Sequence, residues 1–198
     1  RNELFYSMIL LTYFTNFFIF GYIQALPAFI DVFNGGAKEL GFMFSSAGLG
    51  ALSGLLTAGK ININKNLGKI ILSSASFFSV LIIIVSITGL GIIPENIPFT
   101  NILFIYPLAT IGHFANGFCM LSIYSVIQSK VPEKIRGRVV GILAIHISLG
   151  VLGGLWVGGV GQLFNIRLGV GLGPVVCLLF ILYLLTFKKS VRNLQNIN

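Results

Sequence analysis

Six long apolar stretches alternate with short polar gaps along the chain, over 6–30, 40–58, 68–90, 101–129, 139–163 and 168–187. About 20 helical residues cross the roughly 30 Å hydrocarbon core of a bilayer, so each stretch can form one span. The pattern predicts an all-α polytopic membrane protein with six transmembrane helices. The gaps carry local breakers: Asn34-Gly35-Gly36 after the first stretch, and Pro94 and Pro98 after the third. In the gap Lys130–Arg138, Pro132 is placed to open a short helix with Glu133 in its first turn. No gap is long enough to separate folded domains, so residues 1–198 form one six-helix bundle.

Composition agrees: 56% of the 198 residues are hydrophobic, 9% are charged and only five are acids. Charge then gives an orientation. Arg1, Lys60, Lys65, Lys69, Lys130, Lys134, Arg136, Arg138, Lys188, Lys189 and Arg192 fall at the ends and in alternate gaps, leaving Lys38 and Arg167 on the other side. The positive-inside rule puts both ends of the segment on the cytoplasmic side of the cell membrane. Basic residues at an anionic inner leaflet account for the net charge of +8, and no nucleic-acid partner is called for. The opening Arg1-Asn2-Glu3 leads into an apolar run longer than the core of a secretory leader, so no cleavable leader is expected. With no Met at its start, the chain is expected to continue upstream.

The polar residues inside the apolar stretches are the candidate chemistry. On the first, Tyr13, Asn16, Phe17, Phe20 and Gln24 recur at helical spacing on one side, a face suited to an amphipathic ligand or to bonds between helices. On the fourth, Tyr106, His113 and Tyr124 follow one face with Gly117, and Asn116 lies beside it. His146 marks the fifth. Two histidines without a companion Cys or acid do not make a metal site, and no cofactor is called for. Cys119 and Cys177 read as small buried hydrophobes. Glycines four apart, Gly50 with Gly54 and Gly150 with Gly154 and Gly158, mark faces where helix backbones approach closely. No Asp or Glu lies centrally in any stretch, so an acidic proton site is expected in a part of the protein outside this chain. Phosphate-loop, zinc-protease and nucleophile-elbow motifs are absent, which argues against an enzyme.

The run from Gln128 through Pro132-Glu133-Lys134-Ile135-Arg136-Gly137-Arg138 to Val139 resembles the Pro-x-x-x-Arg-Gly-Arg loop of bacterial macrolide and siderophore exporters of the major facilitator superfamily. Leu67-Gly68-Lys69 resembles a degraded copy of the superfamily's other basic loop. The resemblance covers essentially the whole chain. It implies one half of a major facilitator type fold, helices seven to twelve of twelve. The first, second, fourth and fifth spans would surround a cavity, with the third and sixth facing mostly lipid. It further implies efflux of an amphipathic small molecule by alternating access, with proton coupling as an option. Pro132, Glu133, Arg136, Gly137 and Arg138 would be a cytoplasmic gating loop. The partner would be a missing six-helix half or a second copy. The competing reading is a non-transport membrane assembly module; a channel would call for a polar ring or filter, and none is evident.

Overall fold

The computed structural model describes residues 2–60, 67–88, 102–188 and 191. Lys65, the gap with Pro94 and Pro98 and the tail after Val191 lie outside the described residues. The elements are α1 (Asn2–Phe14), a π-helical turn (Thr15–Ile19), a 3₁₀ segment (Phe20–Ala25), α2 (Leu26–Asp31), α3 (Ala37–Lys60), α4 (Leu67–Ile87), α5 (Ile102–Lys130), α6 (Glu133–Ala144), α7 (His146–Leu163) and α8 (Ile166–Phe187). Among the described residues, six helical spans are long and apolar enough to cross a membrane, with α1–α2 forming the first and α6–α7 the fifth.

Local sequence sets the boundaries. Asn34 takes a left-handed backbone, φ 54°, which asparagine tolerates better than most residues, and Gly35 N–H closes back on the Ile30 carbonyl at 3.2 Å. Glu39 then accepts from Gly36 N–H at 2.8 Å and caps α3. Asn165 caps α8 by accepting from Leu168 N–H at 2.8 Å. As expected, Pro132 opens a helix, as the N-cap of α6 with Glu133 in its first turn; Arg136, Gly137 and Arg138, expected in a loop, lie in the first two turns of that helix. Pro132 lacks an N–H that a helix interior would need, so the helix starts just after it and runs into the fifth span. Leu67, Gly68 and Lys69 likewise form the first turn of α4 rather than a loop.

The first span is not the single regular helix that its apolar run suggests. Its middle widens into the π turn and then tightens into 3₁₀ geometry. Side chains after Phe14 therefore rotate away from a 3.6-residue register. The fifth span has a milder break at Ile145, where Ile145 N–H bonds the Ile142 carbonyl at 3.2 Å.

Packing follows a three-span repeat. The second span (α3) packs on the fourth (α5), and the fifth (α7) packs on the first; the third and sixth, α4 and α8, meet each other. Exchanging spans one to three with four to six maps the second–fourth contact onto the fifth–first contact and the third–sixth contact onto itself. Both long crossings are made by small residues. A Cβ on Gly50 or Gly54 would overlap the carbonyls of Thr110 or Phe114, and one on Gly117 would overlap that of Ala51. At the other crossing a Cβ on Gly153 would overlap the Phe17 carbonyl, and one on Gly21 would overlap Gly153. Backbones that touch in this way gain dispersion contact without any hydrophobic driving force, as helix association in lipid requires.

The expectation for the third and sixth spans needs adjustment. α4 and α8 turn Phe77, Val80, Leu179 and Leu182 outward, but half and 44% of their apolar windows are buried in the bundle. The least covered spans are α3 and α6–α7, each with 17% buried.

Candidate functional site

A cavity of about 380 Å³ opens between the first, fourth and fifth spans. Asn16, Phe20, Ile23 and Gln24 come from the first span, Asn116 and Met120 from α5, and His146, Ile147, Gly150 and Val151 from the α7 end of the fifth. The break in the first span shapes this wall: Asn16 lies in the π turn, and Phe20 and Gln24 in the 3₁₀ segment. Asn16, Asn116 and His146 fall near the midpoints of spans running over 4–31, 102–129 and 133–163. Three polar groups therefore meet at the depth where a bilayer would be driest.

Their hydrogen bonds are largely local. Asn16 donates from Nδ2 to the Thr12 carbonyl at 2.9 Å, and His146 Nδ1 is 2.7 Å from the Leu143 carbonyl. Asn116 differs: it is 6% exposed, and its Oδ1 has no partner among the described residues. An unsatisfied buried acceptor costs about 1–3 kcal/mol, so Asn116 is a strained polar position beside the cavity.

Five of the ten cavity candidates read from sequence come together here: Asn16, Phe20, Gln24, Asn116 and His146. The other five lie elsewhere. Tyr13 donates its hydroxyl to the Ile142 carbonyl near the break in the fifth span. Phe17 sets its ring edge-on to Phe18 at 4.9 Å. Tyr106 packs toward Phe42 of α3 at 6.0 Å. Tyr124 stands behind the wall, its ring 6.3 Å from His146.

His113 is buried behind Phe20, with ring centroids 5.8 Å apart, and lies 5.4 Å from Phe78 of α4. Its Nδ1 is 2.9 Å from the Ala109 carbonyl and its Nε2 is 3.2 Å from the Tyr22 hydroxyl. A carbonyl can only accept, so Nδ1 carries the proton and Tyr22 donates to Nε2. Both ring nitrogens are thereby satisfied inside the bundle.

Sequence reasoning missed Ile23, Met120, Ile147 and Val151. Met120 lies four residues after Asn116, so extending that polar position by one turn would have found it; Ile23, Ile147 and Val151 lie one turn from no polar position read as lining. Gly150 was read as a packing glycine; it lines the cavity and has only ordinary contacts with Asn16 and Phe20 at 3.8 Å. Gly154 sits against Gln24, whose Cβ lies 2.7 Å from where a glycine Cβ would be, whereas Gly158 faces open space. Gly154 is therefore tight as expected, and Gly153, which the spacing did not select, is tighter still. Arg136 reaches the Val131 carbonyl from Nη2 at 3.3 Å, and Arg138 is exposed.

The Major Facilitator Superfamily model matches residues 1–155. The chain belongs to this transporter superfamily. Among relatives, an enterobactin exporter EntS of Shigella boydii serotype 18 is 29% identical over 143 residues, covering 70% of this chain and 31% of the relative. EntS of Escherichia coli O1:K1 is 28% identical over 140 residues, and EntS of Shigella flexneri 29% over 143, covering 31% and 32% of those relatives. The chain thus spans about a third of the length of these relatives. As a major facilitator protein it is a multi-pass membrane protein, and its six-span bundle is one half of that fold.

Proposed function

We propose that this chain is the C-terminal half, helices seven to twelve, of a secondary active exporter in the cell membrane. It moves an amphipathic small molecule by alternating access, with both ends of the segment cytoplasmic. The observation that carries this reading is the mid-span cavity, where Asn16, Asn116 and His146 face a wall of Phe20, Ile23, Met120 and Val151. A polar group at bilayer depth is costly unless it lines a cavity or serves a substrate path. The exporter names of the relatives support efflux as the direction. The glycine crossings support motion, because smooth backbone contacts let spans shift against each other.

The sparsely covered spans, α3 and α6–α7, are the surfaces on which a second six-helix half, or a second copy, would pack. Arg136 and Arg138, at the cytoplasmic start of the fifth span, then gate the inner mouth. Efflux is powered by proton exchange, with the acidic site supplied outside this chain.

Efflux of a fluorescent amphipathic dye from cells expressing the full-length protein tests this directly. Expression should lower dye retention, collapse of the proton gradient should restore it, and Asn116→Leu should abolish most of the difference. Retention indifferent to expression across a panel of amphipathic dyes would favour a membrane assembly module instead.

A further inference from the structure

A second hollow, of about 500 Å³, is lined by Ser73, Ser74 and Phe77 of α4 and by Phe114, Ala115 and Phe118 of α5. At about 100° per residue, Phe114 and Phe118 lie on the opposite side of α5 from Asn116 and Met120, so this hollow faces away from the cavity and shares no residue with it. Two neighbours bound it. α3 crosses α5 at Thr110, Phe114 and Gly117, through Gly50, Gly54 and Ala51. α4 runs antiparallel to α5, with Phe78 against Gly112 and the Ile71 carbonyl accepting from Cys119. Between these contacts Phe77 and Ile111 stay exposed. The hollow is a groove on the rim of the bundle, where a multi-pass membrane protein meets lipid.

The groove's polarity is graded along the helix axes. Lys60 ends α3 and Lys69 lies in the first turn of α4, and both are exposed. Ser73 and Ser74 follow about 10 Å along α4 from Leu67, and Phe77 about 15 Å along it. On α5, Phe118 and Phe114 lie about 18 and 24 Å from the Lys130 end. Ser73 donates back to the Ile70 carbonyl at 3.0 Å, but Ser74 has no hydrogen-bond partner among the described residues. Cations, an unpartnered hydroxyl and three rings, in that order, match the phosphate, ester carbonyl and acyl chain of a lipid. We infer that the groove holds one anionic phospholipid. Its phosphate lies against Lys60 and Lys69, whose long stems reach along the helix ends to a headgroup. The Ser74 hydroxyl donates to an ester carbonyl, and an acyl chain runs along Phe77, Phe118 and Phe114. Net negative charge is selected because each lysine at the membrane surface adds attraction that a zwitterionic headgroup largely forgoes.

Native mass spectrometry of the full-length protein tests this, after reconstitution in nanodiscs of equal phosphatidylglycerol and phosphatidylcholine with matched acyl chains. The protein should retain phosphatidylglycerol over phosphatidylcholine by roughly thirtyfold, the effect of two lysines at a headgroup. Lys60→Gln combined with Lys69→Gln, both at exposed positions, should bring the two lipids within about twofold. Ser74→Trp, with the circular dichroism of the native protein, should fill the groove and release both lipids. Leu179→Trp, on the outer face of α8, should release neither. Equal retention of the two lipids by the native protein would overturn the inference. So would a phosphatidylglycerol preference that survives the double glutamine variant or Ser74→Trp. Either result leaves the transport reading standing, because groove and cavity share no residue.

Discussion

Asn116 and His113 sit three residues apart on α5 and play opposite parts. His113 has both ring nitrogens bonded and is walled in by Phe20, Phe78 and Tyr22. Asn116 lines the cavity, and its Oδ1 is buried without a partner among the described residues. Removing the Tyr22 hydroxyl should therefore harm folding and spare transport. Tyr22→Phe leaves Nε2 buried without a donor, a loss of about 1–3 kcal/mol, visible as a lower melting temperature with an unchanged KM for efflux. Asn116→Leu should do the reverse. Its melting temperature should hold or rise, and efflux should fall roughly tenfold, the effect of losing one good hydrogen bond to the ligand. A drop in stability with intact efflux would place Asn116 among the structural residues. Sequence spacing could not distinguish these two positions, since both are polar and share one helix. The difference comes from what the first span and α4 place opposite each.

At the scale of elements, the apolar runs located all six spans because the bilayer imposes a length that composition alone reveals. Departures arose where backbone geometry changed within an apolar run. The π turn and 3₁₀ segment of the first span broke the helical register, so Asn16, Phe20 and Gln24 kept a common wall while Tyr13 and Phe17 turned to other neighbours. Likewise, Gly50, Gly54 and Gly154 read correctly as close-approach positions, but the four-residue rule also selected Gly158 and passed over Gly153, because spacing cannot tell how far along the fifth span the contact with the first extends. The contrast is testable. Gly54→Val should overpack the α3–α5 crossing and cost about 1–3 kcal/mol, read as a lower unfolding temperature in detergent. Gly158→Ala, where a Cβ meets open space, should change that temperature little.

Over the whole molecule, the three-span exchange of contacts produces a bundle with two thinly covered spans, α3 and α6–α7. Leu52 and Leu155 are exposed on these spans, as Leu179 is on α8. Under the proposed two-half architecture, cysteines at Leu52 or Leu155 should form cross-links to the other half or to a second copy, and a cysteine at Leu179 should not. Equal cross-linking at all three would mean that these surfaces carry no preferred partner. The central claim is narrower: a water-filled cavity sits at mid-span between the first, fourth and fifth spans. Cys119 and Cys177 of this chain are buried, so labelling is done with any other cysteine of the full-length protein replaced. The most direct measurement is therefore maleimide labelling of Val151→Cys and Leu179→Cys in the full-length protein in native membranes. The account predicts rapid labelling at 151 and little at 179; equal, slow labelling at both would contradict it.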